Sequence, residues 1–335
     1  MLQKAYIRAM RVTPGYRWWK PLLSLIMAVV LFLISQLLFV IPFLIAMFSA
    51  RPSPESDGTL WLQELTDGIQ GGGYNALIPS NPLSIILVAG SLILLMPTLA
   101  LSLRAVGLGK LGSLSSTEGH LRRERLGVFL GIALALVLLI GFLLPWVLGM
   151  ADGGSLDIPS PHIVPAALVA IVILVPLQSA AEEYAFRGFL MQVLGSWIPL
   201  VWIPILIQAA IFTIGHPYDL KGQLVIICMG LMMGFLAMRL GGLEATIAFH
   251  VANNFLSFLM GSLFSTGSTS GSVDTMSLVL SVMLYLLYAG AILLVARRRG
   301  WLALDPPDFA ARVSRPPAPL ASGASRPPVP PHGWA

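Results

Sequence analysis

Charged residues are scarce in this chain. Only 10% of its 335 residues are charged, whereas 56% are hydrophobic, and the mean hydropathy is +0.84. Soluble domains carry about 25% charged residues, so this composition excludes an ordinary soluble domain and indicates a polytopic membrane protein. The net charge is +5. Because the basic residues lie in loops and tails, we interpret this charge as an orientation signal and a contact with anionic lipid, not as a nucleic-acid surface.

Cysteine is nearly absent as well. The single Cys228 lies inside an apolar segment, which excludes an intrachain disulfide framework and a cysteine-based zinc cluster. The chain also lacks the His-Glu-x-x-His pattern that marks the usual zinc proteases. Any metal site would therefore need a different set of ligands.

Acidic residues are missing from residues 1–20, which we interpret as a basic cytoplasmic N-terminus. The basic residues of this segment are Lys4, Arg8, Arg11, Arg17 and Lys20. An uncharged apolar run follows at 21–48. The run is too long for the hydrophobic region of a cleaved signal peptide, so it predicts an uncleaved first transmembrane helix.

Two further spans, at about 82–103 and 126–148, complete the first half of the chain. The mostly acidic connection at 49–81 predicts a flexible outer loop, whereas the mostly basic connection at 104–125 fits the inner face of the membrane. We therefore group residues 21–162 as three transmembrane helices without an assigned role.

The second half, residues 163–296, contains five more apolar segments. They are 163–194, 198–216, 222–238, 243–264 and 276–296. The first of them is longer than a hydrocarbon core of about 30 Å requires, so it must tilt, break or protrude. The sequence thus predicts an all-α fold, a polytopic membrane protein with about eight transmembrane helices.

The end of the chain, residues 297–335, begins with three arginines and continues as a proline-rich segment with little apolar material. It predicts a disordered cytoplasmic tail. Basic residues outnumber acidic ones at both ends of the chain, so we expect a multi-pass protein of the cell membrane with both termini in the cytoplasm.

Two adjacent carboxylates, Glu182 and Glu183, interrupt an apolar run, and Arg187 follows one turn later. Ionised groups inside a membrane are costly, so such a cluster is a functional-site hypothesis. At 100° per residue Glu183 and Arg187 share a helix face, which predicts that Glu183 is paired and Glu182 is free. A free carboxylate beside a neutralised one suits a general base. The alternative is an ion pair that only locks helix packing.

Two more polar patterns lie in later spans. In Phe212-x-x-x-His216 the two rings are one turn apart, although a lone His at a helix end is usually interfacial or a packing residue. In His250-x-x-x-Asn254 the two side chains share a face, and Asn253 is expected to point elsewhere. A buried His and Asn can also be plain hydrogen-bonding contacts between helices.

The three patterns occur once each, in this order and on separate spans, and together they resemble the CPBP family, which includes the type II CAAX prenyl endopeptidase and bacterial Abi-like intramembrane proteases. The Arg-Gly-Phe-Leu that starts at Arg187 and the Gly-Gly-Leu-Glu-Ala run before His250 look like that family too. The resemblance covers about residues 163–264, and it makes 163–296 a protease core of about five helices.

The resemblance implies hydrolysis of peptide bonds inside the membrane, near the cytoplasmic side. The implied catalytic residues are Glu182, Glu183, Arg187, His216, His250 and Asn254. Glu182 would activate the attacking water, and His216 would position that water or donate a proton.

In the same resemblance, Glu183 and Arg187 hold the local geometry. His250 and Asn254 would stabilise the oxyanion of the tetrahedral intermediate, a contribution worth about 3–4 kcal/mol per donor in other enzymes.

A metal is an open alternative. Glu182, His216 and His250 have the residue types of a His₂Glu zinc site, and the family has been argued both as a metalloprotease and as a metal-free glutamate protease. We favour the metal-free mechanism and name no certain cofactor, with zinc as the alternative.

The expected partners are a membrane-associated peptide or protein substrate and the lipid bilayer, with no nucleic acid. A non-catalytic membrane protein is the competing interpretation, either a proton-coupled transporter or an immunity-type scaffold, because buried Glu and His residues are also typical of proton relays.

Helix arithmetic leaves one difficulty: it places Glu182 about 18 Å, His216 about 26 Å and His250 about 12 Å deep, although a common site needs equal depths.

Overall fold

The computed structural model describes residues 5–49, 82–151, 165–216, 218–264 and 273–303. Its regular structure within these ranges consists of helices, which confirms the predicted all-α class. The predicted outer loop at 49–81, apart from Ser49, and residues 304–335 of the predicted tail lie outside the described residues.

Among the described residues, the first half contains a short 3₁₀ helix and six α-helices. They are the 3₁₀ helix Ala9–Val12, α1 Lys20–Ser49, α2 Pro82–Ile93, α3 Leu95–Val106, α4 Gly112–Ser115, α5 Arg123–Leu136 and, after a π-helical segment Val137–Leu143, α6 Leu144–Ala151.

The second half contains the helices that carry the polar patterns. They are α7 Pro165–Glu183, the π-helical segment Tyr184–Leu190, α8 Met191–Gly195, α9 Trp202–Ile214, α10 Leu220–Leu240, α11 Glu244–Phe264 and α12 Thr275–Arg298. Helix α11 packs against both α5 and α7, and α9 packs against α10.

Six helical segments among the described residues are long and apolar enough to cross a membrane. They are Lys20–Ile45, Ile85–Val106, Arg123–Gly149, Pro165–Gly195, Leu220–Leu240 and Thr275–Arg298. The protein is therefore a multi-pass membrane protein. The other two predicted spans correspond to α9 and α11. Helix α9 has only 13 residues, about 20 Å of rise, so it is shorter than a hydrocarbon core of about 30 Å.

The long fourth predicted span is one continuous helical segment, Pro165–Gly195, of 31 residues. It does not break at the glutamate pair. Instead, the hydrogen-bonding pattern changes from α to π immediately after Glu183, over Tyr184–Leu190. Short π segments inside α-helices are frequent at functional sites because they rotate the following side chains relative to an ideal helix.

Parts of both ends of the chain contact the helices. Tyr6 and Ile7 of the N-terminal segment are buried, and the Tyr6 hydroxyl donates to the Leu114 carbonyl at 2.6 Å. At the other end, α12 continues to Arg298, and the Ala303 N–H donates to the Arg239 carbonyl. Tyr6 and Ala303 thus connect the two ends to the helical body.

The start of α11 is held by a buried ion pair. Arg122 Nε and Nη2 donate to the two carboxylate oxygens of Glu244 at 2.8 and 2.6 Å, and both side chains are buried. Burial alone would lower the pKa of Arg122, but the hydrogen bonds and charge of Glu244 raise it above its usual value. The pair stays ionised, and it ties the connection between α4 and α5 to α11.

We expect Arg122→Ala to lower the free energy of unfolding by roughly 3–5 kcal/mol, because Glu244 would remain buried without its partner. The exposed neighbour Arg123 provides the control, and Arg123→Ala should change stability by no more than about 0.5 kcal/mol. Unfolding of the purified variants in detergent measures both, and equal effects would contradict a stabilising role for the buried pair.

Candidate active site

Glu183 is the centre of the polar cluster. Its side chain is 0% exposed, and Oε1 accepts a hydrogen bond from Arg187 Nη1 at 2.9 Å. The i,i+4 spacing predicts this pairing, and the structure has it. The same oxygen lies 2.7 Å from Nδ1 of His250, on α11. Glu183 therefore joins α7 to α11 as well as pairing with the arginine of its own helix.

Glu182 faces a different helix from the arginine that pairs with Glu183. Its Oε2 lies 3.3 Å from His250 Nε2, and the residue is 6% exposed. His250 thus lies between two carboxylates, one at each ring nitrogen. The calculated depths of Glu182 and His250 differ by about 6 Å, yet the side chains meet, because counting rise along single helices ignores the tilt of α7 against α11.

The hydrogen bonds fix where one of the His250 protons lies. An ionised carboxylate only accepts, so Nδ1 carries a proton and donates it to Glu183. The second ring nitrogen faces Glu182 Oε2 at 3.3 Å. Arg187 supplies one positive charge beside the two carboxylates.

Several atoms of the cluster keep unused hydrogen-bonding capacity within the described part of the chain. They are Glu182 Oε2, Glu183 Oε2, Arg187 Nε and Arg187 Nη2. Buried polar groups without partners are costly and uncommon, and where they gather they are candidates for a functional role. The cluster therefore resembles a reactive site more than a closed structural ion pair.

Phe212 joins the arginine to both histidines. The Arg187 guanidinium lies 4.2 Å from the centre of its ring, a cation–π contact. The ring centre is 4.5 Å from that of His216 and 6.0 Å from that of His250. His216 Nδ1 lies 2.7 Å from the Phe212 carbonyl; a carbonyl only accepts, so Nδ1 carries the proton and Nε2 has the acceptor lone pair.

Asn254 lies at the edge of the cluster. Its amide nitrogen is 3.5 Å from Gln178 Oε1, and Gln178 is buried one turn before Glu182. Sequence reasoning missed Gln178, although a polar residue one turn before Glu182 in an apolar run is a usable signal. Asn253, which the sequence places off the His250 face, donates from Nδ2 to Asn254 Oδ1 at 3.1 Å.

The residues of the zinc alternative do not form a ligand set. Within the described ranges there is no group of three or more His, Cys, Asp or Glu side chains arranged to hold a metal ion. His250 has a carboxylate at each ring nitrogen, and the Nδ1 of His216 is bonded to a carbonyl. Glu182, His216 and His250 therefore do not fit a three-ligand site in this arrangement.

The fold and the site define a class of protein: a multi-pass helical membrane protein with a buried cluster of carboxylates, imidazole and arginine. Residues 164–256 match the family model described as Rce1-like: Type II CAAX prenyl endopeptidase Rce1-like. The matched segment covers less than a third of the chain and includes all six site residues named from the sequence. The comparison with curated proteins gave no match, and neither did the comparison with solved structures.

This match confirms the resemblance to the CPBP family over the helices that carry the polar patterns. The segment is thus similar to the Rce1-like type II CAAX prenyl endopeptidases.

Proposed function

We propose that the protein is an intramembrane endopeptidase that hydrolyses a peptide bond of a membrane-associated substrate with a water activated by Glu182. The observation that carries this proposal is the bridge of His250 between Glu182 and the arginine-paired Glu183. General acid–base hydrolysis requires a base, a proton carrier and a carboxylate that orients the proton carrier. Here these are Glu182, His250 and Glu183.

In the proposed reaction Glu182 takes a proton from water as the water oxygen bonds to the scissile carbonyl carbon. The proton passes between Glu182 and His250 Nε2 and is delivered to the leaving nitrogen when the C–N bond breaks. Glu183 holds the imidazole through Nδ1, much as a carboxylate orients the histidine of a catalytic triad, and Arg187 keeps Glu183 ionised.

We assign His216 and Asn254 to the remaining tasks. His216 would position the water, and the contact of its Nδ1 with the Phe212 carbonyl fixes the orientation of its ring. The Asn254 amide lies beside Gln178, one turn before Glu182 on α7. We assign it the stabilisation of the oxyanion. His250, which the sequence places with Asn254 in this task, is better suited to proton transfer because both its nitrogens face carboxylates.

We propose that the reaction needs no resident metal, since each ring nitrogen of His250 faces a carboxylate and Nδ1 of His216 faces a carbonyl. Comparing the membrane peptides of cells that produce the parent protein or Glu182→Gln tests the function directly. Peptides that appear only with the parent identify the substrate, and a synthetic peptide spanning that cleavage site then supports kinetics. Cleavage lost on chelation and restored by zinc would overturn the metal-free mechanism.

We expect Asn254→Ala to lower kcat about a hundredfold or more with little change in KM, because an oxyanion donor acts mainly in the transition state. A packing role predicts a different result: a hydrogen bond between membrane helices averages about 0.6 kcal/mol, so the rate would stay within several-fold of the parent. The synthetic substrate peptide measures both constants.

Asn253→Ala is not a silent control for this test, because Asn253 donates to the Asn254 amide oxygen and should give an intermediate loss. Gln36 is the better control, since its amide donates to the Ser91 carbonyl at 3.0 Å between α1 and α2. A rate loss for Gln36→Ala equal to that of Asn254→Ala would remove the oxyanion assignment.

We propose that both termini face the cytoplasm of a cell-membrane protein. Residues 1–20 contain basic residues and no acidic ones, and three arginines, Arg297, Arg298 and Arg299, stand at the end of the last helix. A reporter fused to the C-terminus should score as cytoplasmic. An external signal would contradict this orientation and the count of eight spans.

A further inference from the structure

The segment 112–122, which we call the clamp, contacts the site from outside the matched family segment. It contains α4 and the connection to α5. Its Ser116 forms an isolated antiparallel bridge with Gly242, and the Thr117 N–H donates to the Gly241 carbonyl at 2.9 Å. The clamp therefore pairs with the turn that leads into α11, the helix of His250.

The clamp also contacts the helix of the glutamate pair. A Cβ added at Gly188, in the π segment, would lie 3.2 Å from the Cβ of Leu114, so the two backbones approach closely here and glycine permits it. The segment thus lies against α11 on one side and the continuation of α7 on the other.

Ser115 makes both connections itself. Its hydroxyl lies 2.6 Å from the Tyr184 hydroxyl, and its carbonyl accepts from the Leu243 N–H at 2.9 Å. Tyr184 directly follows Glu183, and Leu243 directly precedes α11. Ser115 is 3% exposed, so water does not compete for these bonds.

We propose that Ser115 is a positioning residue, which fixes the helix of Glu183 against the helix of His250 and so sets the contact between these two side chains. The inference rests on the proposed function. It extends the catalytic unit into the first half of the chain, which the sequence leaves without a role. The contact it sets is the 2.7 Å approach of His250 Nδ1 to Glu183 Oε1.

The test is Ser115→Ala, assayed on the synthetic substrate peptide identified for the proposed function. We expect kcat to fall about tenfold with KM within about twofold, because a displacement of 1 Å in the reacting groups can cost up to about a hundredfold. Tyr184→Phe removes the other hydroxyl and should give the same loss. The double variant should be no slower than either single variant, since both substitutions remove the same hydrogen bond.

Ser102→Ala is the matched control. Ser102 is a fully buried serine in α3, and its hydroxyl donates to the Leu99 carbonyl at 2.9 Å. The substitution therefore removes a buried hydrogen bond outside the clamp. The positioning role would be overturned if Ser115→Ala kept the parental kcat or changed KM instead of kcat. It would also be overturned if Ser102→Ala lowered kcat by as much as Ser115→Ala.

Failure of the inference is separable from failure of the function. If the parent cleaves the peptide and Glu182→Gln does not, the proposed function stands whatever Ser115→Ala does. If no membrane peptide distinguishes the parent from Glu182→Gln, the proposed function is overturned, and the role of Ser115 is overturned with it.

Discussion

Glu183→Gln is expected to lower the free energy of unfolding by roughly 3–5 kcal/mol, because it leaves Arg187 buried without its ion-pair partner. Arg187 is 0% exposed and its recorded ion pair is with Glu183; the cation–π contact with Phe212 cannot replace it. The substitution also removes the ionised acceptor of His250 Nδ1, so cleavage should be lost as well. Thermal unfolding of the purified protein in detergent measures the first effect.

Glu182→Gln is the matched control, since it makes the same change one residue earlier. The ion pair of Arg187 is with Glu183 and remains intact in this variant, and a Gln amide can still hydrogen-bond to His250 Nε2, so stability should remain near that of the parent. If the two variants unfold at the same temperature, the division of roles between the two glutamates is wrong.

Glu182→Gln is expected to lower kcat by roughly 10²–10⁴-fold, the range that general acid–base catalysis contributes. An amide cannot take the proton of water, and it cannot exchange a proton with His250. The synthetic substrate peptide gives the rate, and the unchanged unfolding temperature shows that the loss is chemical rather than structural.

The exposed carboxylate Glu124, which pairs with Arg299 at 3.0 Å, supplies a control for charge alone. Glu124→Gln should cleave at the parental rate. A biological effect that survives Glu182→Gln would instead favour the non-catalytic scaffold, because a scaffold needs the fold and not the base.

The local geometry of the site could be predicted from the sequence. Glu183 and Arg187 are one turn apart, and the structure pairs them at 2.9 Å; Phe212 and His216 are one turn apart, and their rings are in contact. These pairs lie within single helices, where 3.6 residues per turn fixes which side chains are neighbours.

The contacts of His250 could not be predicted in the same way. Glu183 and His250 are 67 residues apart along the chain and lie on different helices, so their contact depends on the tilt and rotation of α7 against α11. For the same reason the approach of His250 to Glu182, at 3.3 Å, was not predicted.

Composition and the order of the polar patterns determined the class of this protein: a multi-pass, all-helical membrane protein with an Rce1-like segment. Only the tertiary structure decided that His250 stands between two carboxylates, that Ser115 links the two helices of the site, and that Tyr6 is buried. Hydropathy indicates which segments lie in the membrane, and spacing indicates which side chains are neighbours within one helix. Contacts between helices depend instead on how side chains of distant segments pack together.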